Sequence, residues 1–352
     1  MSSARRVAPS ACPAFVVVHI RLFTGQDSRN QQLRGNVHRP IVGVSSVFLA
    51  VALTLALGCS SAGRDAAVSD SSAPAANASA STPAELKLAG DFQGPLGVQL
   101  WSFREAFKTD VPGTLARVRA LGFREVELAG TYGMSAQQFR QVLDSVGLSA
   151  TSMHVGYEQF RDSLASTLAA AGVLGPKNIG TAWIPHPDGP ITVAIARQAA
   201  ADFNRWGKAA RAAGLQFFYH VHGYEFKPGA DGVLPMDVLM RETDSAAVKF
   251  EMDVFWASLP GNDPAALLRK YPGRWKLMHI KDMKKGVATG VHTGSANPDS
   301  SEVPTGTGQT DYRAVLRAAK EVGVERYYLE DETARPFETV PLSIRWLEAV
   351  RF

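Results

Sequence analysis

The chain has 352 residues, 45% of them hydrophobic and 20% charged, which is enough apolar material for a large core and excludes a mostly disordered protein. Lys and Arg number 37 against 33 Asp and Glu, but six arginines and a single acid (Asp27) fall in residues 1–59, leaving 31 bases and 32 acids beyond. That balance leaves no surplus for a phosphate-binding face and argues against a nucleic-acid partner. The two cysteines, Cys12 and Cys59, both lie in the amino-terminal stretch, which excludes a disulfide framework or a cysteine metal site in the globular part.

In chain order, the first feature is the apolar run IVGVSSVFLAVALTLAL over 41–57, with Arg34, His38 and Arg39 before it and Gly58-Cys59-Ser60 after it. A basic flank, an apolar core and a small residue before a cut site make an export signal over residues 1–59. Leu55-Ala56-Leu57-Gly58-Cys59 resembles a bacterial lipobox, which implies lipidation at Cys59, a membrane tether and an exported or periplasmic location. Residues 60–92 are rich in Ser, Ala and Pro and read as a flexible linker with a root-mean-square reach of roughly 30 Å.

From residue 93 to 352, short apolar runs alternate with amphipathic segments. Strands are expected over 97–101, 125–128, 149–154, 178–182, 216–222, 248–253, 276–280 and 326–330. Helical patterns lie between them over 114–121, 136–146, 194–213, 235–242, 264–270, 312–322 and 341–350. Several helical patterns stop at Gly, as in LGF at 121–123 and VGV at 322–324, where glycine supplies a left-handed cap. Eight strand–helix units in ~260 residues predict an α/β fold of the (β/α)8 TIM-barrel type, with chemistry at the carboxyl ends of the strands. An open doubly wound sheet would carry a Gly-rich turn after its first strand, and WSFREAF at 101–107 is not one.

Polar residues gather at those strand ends. Four of the six histidines beyond residue 59 do so (His154, His220, His222 and His279), which packing does not explain. Asp253, His279 and Glu330 follow apolar runs on three successive strands and together suit a divalent first-row metal. His220-Val-His222-Gly-Tyr-Glu225 places two imidazoles on one strand face. They are candidates for ligation or proton transfer, and Glu225 is a candidate to fold back as a fourth ligand. Lys281 either pairs with Asp282 or enters the mouth to steady an enolate. Glu127 and His154 are candidate substrate contacts, and Trp101 and Trp256 are candidate walls for a sugar ring or ordinary packing. The polar loop over 290–312 is a lid or plain surface.

GVQLWSFR at 97–104, YHVHGYEF at 219–226, FEMDVFW at 250–256, YPGRWKLMHIKDM at 271–283, TGTGQTDY at 305–312 and YYLEDE at 327–332 resemble the sugar phosphate isomerase/epimerase family. This is the xylose isomerase-like barrel group that also contains apurinic endonucleases, and the resemblance spans ~95–350. It implies a divalent metal, Mn²⁺ foremost with Mg²⁺, Co²⁺ or Zn²⁺ as alternatives, held by Asp253, His279 and Glu330. The departure is on strand five, where ketose epimerases of this group place a metal-binding Glu and this chain has His220, so that His220 or Glu225 takes that place. The expectation is a metal-dependent isomerase or epimerase acting on a sugar by proton abstraction beside a carbonyl, with Glu330, His220, His222 and Lys281 as catalytic groups. An eliminase or hydratase on the same site is the runner-up. A metal-free carbohydrate-binding barrel is the rival from another class. An endonuclease would need a trinuclear zinc cluster and a basic face, and neither is evident.

Overall fold

Each strand of the barrel is short because a strand need only cross the ring once, and each is followed by a helix that covers its outer face. The computed structural model describes residues 85–229, 232–290 and 301–352. The expected export signal, Cys59, the linker over 60–84 and residues 291–300 of the polar loop lie outside the described residues. No helix among the described residues is long and apolar enough to cross a membrane.

Eight parallel strands form the ring: β1 (Leu96–Gln99), β2 (Glu125–Leu128), β3 (Ser149–His154), β4 (Asn178–Thr181), β5 (Gln216–His220), β6 (Val248–Asp253), β7 (Trp275–Ile280) and β8 (Arg326–Leu329). They pair in chain order, and β8 closes on β1 through Leu96↔Tyr327 and Val98↔Leu329. The covering helices are α1 (Val111–Ala120), α2 (Ala136–Val146), α3 (Tyr157–Leu174), α4 (Val193–Ala212), α5 (Pro235–Glu242), α6 (Pro264–Lys270), α7 (Tyr312–Val322) and α8 (Pro336–Ala349). α2 and α7 end on Gly147 and Gly323 in the left-handed conformation, φ 72° and 80°, as their helix-then-glycine pattern predicts.

Three differences from the sequence reading have physical causes. α3 is not marked by periodicity because its small residues give no apolar stripe, and it kinks at Ser163. α8 begins at Pro336, not at 341, so Pro341 lies inside the helix. Residues 89–92, assigned to the linker, lie against the barrel: Asp91 N donates to Val350 O at 2.8 Å, and Phe92 packs edge-on to Tyr327 at 5.0 Å.

Inside the ring, Phe218, Leu277 and Tyr328 form a separate apolar plug. Room for it comes from Gly180 and Gly97. A Cβ at Gly180 would meet the Phe218 ring at 2.7 Å, and one at Gly97 would meet the Tyr328 ring at 2.8 Å. The charged residues of the strand ends sit toward the carboxyl end of these plugging residues, so they share a closed floor.

Candidate active site and metal centre

Two sets of acids and histidines meet at the barrel mouth, one of Asp253, His279 and Glu330, the other of His154, His220, Glu251 and His279. Their spacings differ. His154 Nε2 and His220 Nδ1 both lie 2.9 Å from Glu251 Oε2, and His279 Nε2 lies 2.6 Å from Glu127 Oε1, all hydrogen-bond distances. In the other set His279 Nδ1 stands 3.2 Å from Glu330 Oε2 and 3.7 Å from Asp253 Oδ2, and His220 of the first set turns its Nε2 toward it, 3.9 Å from Asp253 Oδ2. Donors around a cation with bonds of ~2.1 Å are separated by about 3.0–4.2 Å, from neighbouring to opposite positions. Every gap quoted for the second set lies in that range, whereas the first set combines gaps of 3.2 and 3.3 Å with shorter ones at which a proton is shared.

The backbone prepares this arrangement. Asp253 ends β6 and caps the Val254–Ser258 turn, its Oδ1 accepting from Trp256 N at 2.8 Å. That bond fixes the carboxylate and leaves Oδ2 buried without a hydrogen bond, facing the His279 and His220 nitrogens at 3.7 and 3.9 Å. Each ligand-facing imidazole has its far nitrogen on a carboxylate, His220 on Glu251 and His279 on Glu127, the support that orients metal-binding histidines. Glu127 is itself held by Gln99 Nε2 at 2.8 Å. The donor set Asp253, His279, Glu330 and His220 therefore suits a divalent ion, and its two imidazoles favour a transition metal over Mg²⁺.

Burial sets the electrostatics. It pushes Asp253 up, and it pushes Glu251 up to about 7 with help from the neighbouring Glu127 charge. Burial also pushes His220 down, and it holds His222 at about 3 with the Lys281 charge adding to the effect. For His154 burial is outweighed by Glu127 and Glu251, which raise it to about 10; for His279 it is outweighed by Glu251 and Glu330. The neighbouring acids thus favour the protonated form of His279, and an ion bound there would displace that proton.

Trp101, His154, His220, His222 and Glu330 line a cavity of about 190 Å³ at the mouth, a space for one small ring. A larger cavity of about 450 Å³, beside Arg104 and the start of α8, contains no histidine. His222 keeps a buried Nδ1 without a partner.

Other expected site residues go elsewhere. Glu225 does not reach the ligand set. Alternation turns Tyr219 to the outside of β5, and Glu225 folds onto that outer side, accepting from Tyr219 OH and from His222 N at 3.0 Å. Glu127 is a support for His279 and His154 and does not line the cavity. Trp256 is buried, with its ring 5.4 Å from that of His222 and 5.1 Å from Lys281 Nζ, and it is not a cavity wall. Lys281 is buried and its ammonium is shared by Glu302 at 3.3 Å, Glu330 at 3.4 Å and Glu332. It does not pair with Asp282. That carboxylate instead accepts from Gly306 N at 2.9 Å and Gly308 N at 3.0 Å, pinning the TGTGQTDY turn. The described part of the polar loop folds back, with Glu302–Val303 pairing antiparallel to Asp282–Met283. Gln99 and Glu302 carried no sequence signal. Glu251 did: it shares a strand face with Asp253, two residues away.

The family model for a xylose isomerase-like TIM barrel matches residues 115–350. The chain belongs to this family. An inosose dehydratase of Lacticaseibacillus casei is 27% identical over 161 residues, covering 43% of this chain and 53% of the relative. The chain thus spans about half the length of such curated relatives. Among solved structures, a sugar phosphate isomerase/epimerase from Parabacteroides distasonis superposes with a TM-score of 0.60 at 24% identity, covering 79% of this chain and 99% of its own. A xylose isomerase-like barrel from Mycobacterium smegmatis in complex with magnesium superposes with a TM-score of 0.56 at 17% identity, covering 73% and 96%. At these identities the family's solved structures establish the barrel fold.

Proposed function

We propose that this chain is a metal-dependent enzyme that removes a proton beside the carbonyl of a keto-sugar and expels an oxygen from the next carbon. The observation that carries the reading is the set of Asp253, His279, Glu330 and His220 atoms at cation spacing beside a one-ring cavity that His154 and His222 also line. Asp253, His279, Glu330 and His220 would hold the ion, with Mn²⁺ the expected metal and Co²⁺ or Zn²⁺ alternatives. A bound divalent ion supplies Lewis-acid polarisation of the carbonyl.

The protein groups divide the proton work. His222 lines the cavity with an imidazole that burial keeps neutral, and it is the group assigned to take the proton as the C–H bond breaks. The electron pair forms a C=C bond while the C–O bond breaks. His154, kept as the cation by Glu127 and Glu251, protonates the departing oxygen. Two histidines with opposite protonation preferences at one cavity suit one acid and one base. An epimerase needs two bases on opposite faces, and the carboxylates Glu127 and Glu251 are already engaged, by two and by three histidines. Elimination is therefore placed ahead of the isomerisation or epimerisation expected from the sequence, and the similarity to an inosose dehydratase supports that order.

Isomerisation is the second reading, because Glu330 also lines the cavity and is placed to return a proton. Proton NMR of the Mn²⁺-loaded enzyme with a ketosugar panel in deuterated water separates them. Elimination consumes the α-proton with a new vinyl signal, and isomerisation exchanges it with the hydroxyls retained. Metal-loaded enzyme that does neither with any panel member sinks the reading.

A further inference from the structure

Among the described residues three large apolar side chains are markedly exposed: Trp101, Trp183 and Leu342. Leu342 is a single residue on outer helix α8, which is ordinary. The two tryptophans both stand at the mouth, after β1 and after β4. Trp101 is a wall of the cavity, tied by its indole Nε1 to Glu332 Oε2 at 3.3 Å and flanked by Arg104 at 5.2 Å. Trp183 is different. It lies outside the cavity, next to its wall residues Ala182 and His222, with its ring 5.7 Å from the His222 ring.

Trp183 is also built to stay there. His186 stacks on it at 4.7 Å, and Tyr224 meets its edge at 5.0 Å. The segment WIPHPDGP over 183–190 carries three prolines, which remove backbone freedom. Ile184 is buried beneath, its N donating to Tyr224 OH at 2.9 Å, and His186 Nδ1 lies 2.5 Å from Ile184 O. One face of the indole is backed by imidazole, yet the residue remains 40% exposed. A rigid, backed aromatic face loses little entropy on receiving a flat apolar surface, such as the C–H face of a sugar ring.

We propose that Trp183, backed by His186, is a binding subsite for a second sugar ring, so that the substrate class is a glycoside of the keto-sugar and not the free monosaccharide. The inference rests on the keto-sugar reading above: the cavity takes the reacting ring, and the platform beside it takes the ring attached to it.

Calorimetry on the Mn²⁺-loaded full chain with D-fructose, lactulose and isomaltulose tests it, with tryptophan fluorescence as a second readout. Lactulose and isomaltulose each carry a fructose unit joined to a second ring. At least one disaccharide is expected to bind about tenfold more tightly than fructose and to quench the indole emission. Trp183→Ala should reduce that ratio to about one, and Trp183→Phe should restore part of it. Fructose binding with no disaccharide preference, or a preference that survives Trp183→Ala, overturns the subsite and leaves the keto-sugar reading standing. If none of the three sugars binds the wild-type protein, both fall.

Discussion

The two sets of acids and histidines at the mouth share His279 and each could surround an ion, yet they differ in their shortest gaps. Around Glu251 and Glu127 the shortest nitrogen–oxygen gaps are 2.6–2.9 Å, with two more at 3.2 and 3.3 Å, and the protons in the short ones satisfy the charges. Around Asp253 and Glu330 the corresponding gaps are 3.2–3.9 Å. Residue type alone does not make a ligand. What distinguishes the sets is whether the backbone holds the donors slightly too far apart to satisfy one another, as the capping bond of Asp253 does.

The largest test of this difference is at Asp253 and His279. Asp253→Ala or His279→Ala should lower bound metal to less than a tenth of the wild-type content, measured by elemental analysis after dialysis, with circular dichroism retained because the apolar floor is untouched. Glu251→Gln and Glu127→Gln should act one step down, weakening metal affinity by about 10–100-fold while leaving a site that fills at high metal concentration. If Glu251→Gln strips the ion as fully as Asp253→Ala, the cation belongs to the tighter set.

Proton competition sharpens the comparison further. His279 is pushed up by Glu251 and Glu330 against the effect of burial, so its proton must leave before the ring can ligate. Metal affinity should rise with pH, by up to about tenfold per unit between about pH 6 and 8, with one proton released per ion in calorimetry run in two buffers. An affinity flat across that range would mean that no protonated ligand is displaced.

The smallest effect is expected outside the ring. Glu225 is buried behind β5 and burial pushes its carboxyl up to about 7. A carboxyl raised on folding contributes stability that is full below its unfolded value near 4.5 and is lost as pH rises through about 7. Glu225→Gln, which cannot ionise, should therefore flatten that loss, gaining on the order of 2 kcal/mol relative to wild type at pH 8 in denaturant unfolding, and should keep metal content within about twofold. A large drop in bound metal would return Glu225 to the ligand set.

How much of this could be read from the chain differs by residue. Asp253, His279 and Glu330 were legible because each directly follows an apolar strand run, and in a parallel ring such positions converge. Trp183 was not, because it sits in a proline-rich loop with no period to place it, and its exposure becomes visible only once Ile184 and Tyr224 are seen beneath it. Gln99 looked like part of an apolar strand, and its role appears only through the bond to Glu127, 28 residues away.

The order of eight strands and helices, the end of the barrel at which acids and histidines gather and the identity of those residues follow from hydrophobic alternation and glycine stops, which are local in the chain. Which of those side chains face one another, and at what distance, depended on closing the ring. Glu225 shows the difference best: five residues from His220 and of ligating type, it was turned outward when Tyr219 and the backbone of His222 claimed its oxygens. Hydrogen-bond partners contributed by a loop's return path are long-range facts, and no local pattern encodes them.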